Sequence, residues 1–331
     1  MKYFLKETYV KANHAGPKAR MDAEKIMLDN GYQEYYLTDS PKDNDLKEDD
    51  VIILQFPLLW KSLKKQMHMK FLKRRNFKAY LLIHDIESLR NKKIKTFKDF
   101  KHYIIYYLQN KTVLERVDGI IAHNDKMRSE IMKMGIKPEK IVTLEVFDYL
   151  IPDLDDNKSY DKDKILLAGN FDIRKTKYAR NLPGKPKFEI YGINFEHDNL
   201  PNNVHYKGAF SPEELPNHLQ GGFGLVWDGD SSDTCSGMYG EYLKINNPHK
   251  ASLYLASNFP IIVWSQSALA DFVRKNNCGI LVDSLFEIAE RLDSISNDEY
   301  EVLLKNSKKI GDNIRKGYYL KTALEKCERR L

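Results

Sequence analysis

The chain has 331 residues, long for one hydrophobic core and comfortable for two domains. Hydrophobic residues make up 42% and charged ones 30%, the balance of an ordinary soluble protein, and no apolar run approaches the ~20 residues needed to cross a bilayer. The net charge is +6, yet no nucleic-acid-binding motif accompanies the basic residues, so no nucleic-acid partner is expected. The opening Met1-Lys2-Tyr3-Phe4-Leu5-Lys6-Glu7 is broken by charge, which predicts a first strand rather than a signal peptide. Cys235, Cys278 and Cys327 have neither paired nor metal-ligand spacing, and a reducing cytoplasm is the expected compartment.

In the first half, strands are predicted at 2–6, 33–38, 51–56, 78–84, 119–123 and 140–145. Helices are predicted at 19–30, 97–109 and 125–134, with another in the basic run 61–78. This βαβα rhythm argues for a doubly wound parallel sheet. Several strands are continuous apolar runs, as a sheet covered on both faces requires. The loop Asn13-His14-Ala15-Gly16-Pro17-Lys18-Ala19-Arg20 follows the first strand and is aimed at a ligand cleft. It is not GxGxxG, so a dehydrogenase-type dinucleotide site is not supported. The run 61–78, KSLKKQMHMKFLKRRNFK, holds eight cations and no acid. It fits a helix lying on an anionic membrane surface, or a solvated helix packed by one stripe. At the end of strand 78–84, His84 and Asp85 offer either a general base that deprotonates an attacking hydroxyl or a structural pair with Asp85 capping the next helix.

A polar stretch from 152 to 164 reads as a linker. The rhythm then restarts with strands at 165–168, 188–191, 204–206, 223–227, 260–264 and 279–282. Ser211-Pro212-Glu213-Glu214 and Ser284-Leu285-Phe286-Glu287 read as capping boxes, and the tail 321–331 as helix. The domains are therefore placed at 1–152 and 164–312. A C-terminal helix within 313–331 is expected to pack back toward the first.

Strand 165–168 ends in Gly169-Asn170-Phe171-Asp172-Ile173-Arg174-Lys175. The glycine admits a ligand to the backbone, and Arg174 is suited to clamping a phosphate, although two solvated surface cations would read the same. The richest stretch is Asp228 to Lys250, DGDSSDTCSGMYGEYLKINNPHK. At its end Asn247 is a good N-cap and Pro248 a good first helical residue. The free N–H groups around His249, Lys250, Ala251 and Ser252 would then face an anion, phosphate above all. Phe210 and Ser211 give a third strand-end site, where Phe210 contacts a nucleobase or belongs to the core. Asp228-Gly229-Asp230 matches the DxD pattern of metal-dependent sugar transferases. With Arg174 and Lys250 present to neutralise phosphate, sugar-hydroxyl binding by the two carboxylates is the preferred reading, and neither metal nor cofactor is expected.

These segments together resemble the glycosyltransferases of GT-B architecture, two doubly wound Rossmann-like α/β domains facing across a cleft. More closely, the chain resembles the bacterial β-1,6-galactofuranosyltransferases of O-antigen assembly. Ala15-Gly16 with Lys18-Ala19-Arg20, Ile83-His84-Asp85-Ile86, Phe147-Asp148-Tyr149-Leu150 and Ala168-Gly169-Asn170 carry the likeness. So do Trp227-Asp228-Gly229-Asp230, Thr234-Cys235-Ser236-Gly237, Asn246-Asn247-Pro248-His249-Lys250 with Leu253-Tyr254-Leu255, and Ala268-Leu269-Ala270-Asp271-Phe272. A more distant likeness is to the glucosyltransferases that extend sugars on streptococcal serine-rich adhesins, which lack the DGD and TCSG elements. The resemblance implies a metal-independent hexosyltransferase with UDP-galactofuranose as donor and a glycan, lipid-linked or free, as acceptor. It places UDP near Gly16, Arg174, Phe210 and the helix start at Pro248. An inverting step would need one base, with Asp85 or His84 expected to serve. A UDP-glucose-dependent enzyme extending a protein-linked glycan and a non-catalytic sugar-binding partner are the alternatives. A cytoplasmic enzyme working at the inner membrane face is expected, and a homo-oligomer is compatible with the sequence.

Overall fold

The computed structural model describes residues 1–7, 15–36, 46–58, 76–91, 96–155 and 158–329. The basic helix predicted within 61–78 lies outside the described residues except for its last few, and Lys78 opens a strand. The chain divides into two compact units. One comprises Met1–Val10, Arg20–Leu144 and Leu320–Leu331; the other comprises Lys11–Ala19 and Glu145–Tyr319. The polar stretch 152–164 belongs to the second unit.

The first unit is built on six parallel strands, β1 (Lys2–Leu5), β2 (Gln33–Tyr35), β3 (Val51–Phe56), β4 (Lys78–Ile83), β5 (Gly119–Ala122) and β6 (Ile141–Thr143), ordered β2-β1-β3-β4-β5-β6. All six residues of β3 are buried, as expected of a central strand covered on both faces. Its Val-Ile-Ile-Leu run supplies the β-branched and apolar groups that such a strand needs. Helix α1 (Ala15–Asp29) starts four residues before the predicted 19, because Pro17 fits the first turn, where its missing N–H costs nothing. Gly16 is therefore helical rather than part of a turn. Helices α2 (Glu87–Arg90), α3 (Phe97–Arg116) and α4 (Asp125–Lys133) follow. Thr96 and Asp99 close a capping box on α3, which runs past the predicted 109 to Arg116, where Val113 and Leu114 are its first buried apolar residues among those described.

The second unit has β7 (Lys164–Asn170), β8 (Lys187–Ile193), β9 (Val204–Gly208), β10 (Phe223–Val226), β11 (Ile261–Trp264) and β12 (Gly279–Val282), all parallel, ordered β12-β11-β10-β7-β8-β9. Counted within the unit this is the doubly wound order 3-2-1-4-5-6, with its switch point between β7 and β10. Its core gathers Phe188, Phe223, Trp227 and Trp264 around Ile165, Leu167, Leu225 and Ile262. The helices are α5 (Ile173–Thr176), α6 (Leu215–His218), α7 (Gly237–Tyr242), α8 (His249–Ala256), α9 (Leu269–Asn276), α10 (Ile288–Asp293), α11 (Asn297–Arg315) and α12 (Tyr318–Glu328). The Ser296–Glu299 capping box opens α11. Ser284 accepts from Phe286 N but opens only a 3₁₀ turn, and Glu287 accepts from Asp283 N instead of completing the predicted box. From Leu320 on, α12 belongs to the first unit, where Glu328 accepts from Tyr32 Oη and pairs with Lys2. All three cysteines are reduced and buried. No helix among the described residues is long and apolar enough to cross a membrane.

Candidate active site

A doubly wound sheet opens a crevice where strand order reverses, at the carboxyl ends of its two switch-point strands. Here those are the ends of β7 and β10. The end of β7 needs glycine: Gly169 has φ +141°, and neighbouring Gly192 on β8 has φ +149°. A Cβ on Gly192 would sit 1.8 Å from the Gly169 carbonyl oxygen, so no other residue fits. Beyond Gly169, the Asp172 side chain caps α5 by accepting from Arg174 N. Asp172 also holds the Arg174 guanidinium, with Nε 3.0 Å from Oδ1 and a further bond from NH2 to Oδ2. The guanidinium beside it keeps the Asp172 carboxyl down at about 2. Arg174 is thus exposed and turned onto its own neighbour.

It is Lys175 that reaches the end of β10. Gly229 N donates to Lys175 O at 2.7 Å, and Tyr178 N donates back to Gly229 O, a backbone clasp that seats the lysine beside Asp228. Gly229 has φ +121°, and a Cβ there would meet the Ser236 carbonyl at 2.2 Å. The Asp228 carboxylate, with only 5% of its side-chain surface exposed, lies between two cations. Lys250 Nζ is 2.8 Å from Oδ1 and Lys175 Nζ 3.6 Å from Oδ2. Lys250 also donates to the Trp227 carbonyl at 2.9 Å. Burial pulls the Lys250 ammonium toward neutrality, and the Asp228 charge opposes that pull. Asp230, two residues on, is exposed, and its carboxylate packs against the Cα of Gly237 at the start of α7.

Lys250 is the second residue of α8, whose start falls one residue later than predicted. Pro248, at φ −69° and ψ 138°, is the N-cap, with no side-chain cap bond. Asn247 thus precedes the cap, and its buried amide N–H donates to the Glu145 carbonyl, where Glu145 is held at φ +75°. The His249 ring stacks on Tyr149 at 5.0 Å and meets Phe147 edge-on. Ala251 and Ser252 are fully buried, and the Ser252 hydroxyl has no hydrogen-bond partner. One turn further, the Tyr254 ring lies over Gly224 of β10, where a Cβ would intrude to 2.0 Å. Tyr254 Oη accepts from the Ala168 N–H of β7, at a register where β10 no longer pairs with β7. That one side chain therefore sets the start of α8 against both switch-point strands. Tyr254→Phe, which strands a buried N–H, is expected to lower stability by ~1–3 kcal/mol in urea unfolding.

Phe210 and Ser211 are not brought to this cluster. They follow β9, two strands from β7. Phe210 stacks on the His218 ring at 3.8 Å, and Ser211 exchanges hydrogen bonds with Glu214 across a turn that precedes α6.

In the first unit, His84 and Asp85 lie just beyond the end of β4, and both backbone N–H groups donate to Phe56 O. The His84 ring Nε2–H donates to Gln55 Oε1 at 2.7 Å, while the Gln55 amide donates to Arg20 O, which fixes the direction of the pair. Asp85 does not cap α2. Its Oδ2 takes a hydrogen bond from Arg90, and its Oδ1 is buried without a partner. His123, at the end of β5, donates to Ile83 O, and burial lowers its pKa to about 4. The unfolded chain protonates near pH 6.5 and so binds more protons than the native state between 6.5 and 4. Stability is expected to fall as pH drops through that window, by ~3 kcal/mol for His123 alone. His249, lowered to about 4 chiefly by burial and next by the Lys18 charge, acts in the same sense. Urea midpoints from pH 7 to 4 should flatten in His123→Gln.

Lys175 and Gln55 join the candidate site through partners that the sequence does not show. Gln55 had a visible signal, one polar residue in an otherwise apolar strand. The two-sheet architecture is that of the GT-B glycosyltransferases. Sucrose-phosphate synthase from Thermosynechococcus elongatus superposes with a TM-score of 0.64 at 12% identity, covering 99% of this chain and 98% of that one. Anabaena HepE in complex with UDP superposes at 0.59 with 11% identity, over all of both chains. The glucosyltransferase 3-like N-terminal domain model matches residues 2–146, and the corresponding C-terminal domain model matches residues 165–327. β-1,6-Galactofuranosyltransferase WbbI of Escherichia coli (strain K12) is 33% identical, covering 98% of this chain and 97% of its own. The chain belongs to this bacterial β-1,6-galactofuranosyltransferase family within the glucosyltransferase 3-like glycosyltransferases.

Proposed function

We propose that this glycosyltransferase moves galactofuranose from UDP-galactofuranose to a sugar hydroxyl of a growing surface glycan, without a metal. The observation that carries the donor is the 33% identity to a β-1,6-galactofuranosyltransferase along nearly the whole chain, together with the DGD and TCSG elements. The HepE complex with UDP supports a UDP leaving group on this fold. The diphosphate is assigned to Lys250, Lys175 and the first turn of α8, where the Ser252 hydroxyl still lacks a partner. These cations offset the charge that develops as the glycosidic bond breaks. Arg174 joins them by exchanging Asp172 for a phosphate oxygen. Asp230, exposed beside α7, is assigned to a donor-sugar hydroxyl. Asp85 is assigned as the base that takes the acceptor proton, with His84 positioned beside it by Gln55.

A second reading, transfer of glucose from UDP-glucose, is favoured by the glucosyltransferase 3-like domain models. A donor screen with mass detection separates the two. The expected result is product from UDP-galactofuranose and little from UDP-glucose, unchanged by a strong chelator. The reverse preference sinks the galactofuranose assignment, and a chelator loss restored by Mn²⁺ sinks metal independence.

A further inference from the structure

We propose that Asp228 is a positioning residue that keeps the Lys250 ammonium charged and aimed at the donor diphosphate, and not a contact to the donor sugar. This rests on the UDP-sugar reading above. Asp228 is nearly inaccessible, and both of its oxygens are engaged, Oδ1 by Lys250 and Oδ2 by Lys175. A carboxylate so enclosed has no oxygen to offer a sugar hydroxyl. Its exposed neighbour Asp230 does. An ammonium has three N–H donors, and Lys250 spends two on Trp227 O and Asp228, which leaves one for a phosphate oxygen.

The pocket around this pair is otherwise poor in charge. Tyr178 from the turn after α5, Cys235 from the loop before α7 and Tyr254 from α8 face the Asp228 carboxylate. Burial raises the pKa of all three, so they are neutral at ordinary pH. Lys175 is the remaining cation and disfavours a second charge on Lys250. Among the described residues Asp228 is therefore the charged group that most favours the ammonium form, with the Trp227 carbonyl assisting through its hydrogen bond. Removing its charge lets burial and Lys175 deprotonate Lys250 as pH rises. At lower pH the same change frees both lysines from a competing anion.

The test is calorimetric titration of UDP into wild type, Asp228→Asn and Asp228→Asn/Lys250→Arg at pH 7 and pH 9. In wild type the affinity is expected to change by less than about threefold between the two pH values. In Asp228→Asn it should be undiminished at pH 7 and weaker by ~10-fold or more at pH 9. Lys250→Arg should restore pH independence, because a guanidinium stays charged. If Asp228→Asn alone does not fold, the double variant carries the test. Folded protein that fails to bind UDP at either pH then overturns the proposal. UDP affinity in Asp228→Asn equal to wild type at both pH values, with loss confined to a UDP-hexose, also overturns it and returns Asp228 to the sugar. Wild type that binds no UDP would instead remove the donor reading, and the proposal with it.

Discussion

Asp85→Asn is expected to lower turnover by roughly 10²–10⁴-fold, the usual contribution of a positioned general base, while leaving UDP affinity unchanged. The expectation comes from how the two carboxylate oxygens are used. Arg90 holds Oδ2 and fixes the plane of the group, so Oδ1, with no partner of its own, is the oxygen left to receive a proton. Asparagine keeps the shape and still accepts from Arg90, but it presents an amide where the lone pair stood. Initial rates with saturating donor, set beside calorimetric UDP affinity, separate a lost base from a damaged fold. Near-normal turnover would exclude Asp85. His84→Gln would then be the decisive variant, since His84 has its ring orientation set independently by Gln55.

Lys250→Met should act on both stability and binding. Methionine follows the course of the lysine stem but carries no charge, so Asp228 keeps only the longer, half-exposed contact to Lys175. Breaking one side of a buried pair costs ~3–5 kcal/mol, because the surviving ion stays out of water. Urea unfolding reads that loss. UDP affinity should fall by a further ~1–3 kcal/mol, the scale of one charge-assisted hydrogen bond. Pairing Lys250→Met with Asp228→Asn is expected to regain most of the stability and none of the affinity. If both single variants are as stable as wild type, Asp228 and Lys250 are not coupled in solution.

The strands were legible because a parallel sheet covered on both faces demands uninterrupted apolar runs. All twelve predicted strands, several of them such runs, are present; 51–56 and 279–282 coincide with the observed ends, and the other ends shift by no more than three residues. Helix ends were less legible where two residues compete for one role. Pro17 reads as part of the loop before the first helix and Pro248 as a first helical residue, yet Pro17 lies inside a first turn and Pro248 caps. The long α11 carried no assignment, although Ser296 and Glu299 announce it. In the site, the cations were visible as cations, but their partners were not. Asp172 lies two residues from Arg174 and was open to local reading. Asp228 and Lys250 are 22 residues apart, and their pairing follows from Tyr254 seating α8 against Gly224 and Ala168.

The three buried cysteines give the chain a built-in chronometer. Cys235 and Cys278 belong to the second unit and Cys327 to the first. Burial raises the Cys235 thiol and pushes Cys278 up to about 12, so neither is nucleophilic in the closed protein at neutral pH. A thiol reagent then labels each only when its surroundings open, and peptide mapping of the label assigns the opening rate to one unit or the other. A cysteine placed on the surface would in turn react alone, with no native cysteine to remove first.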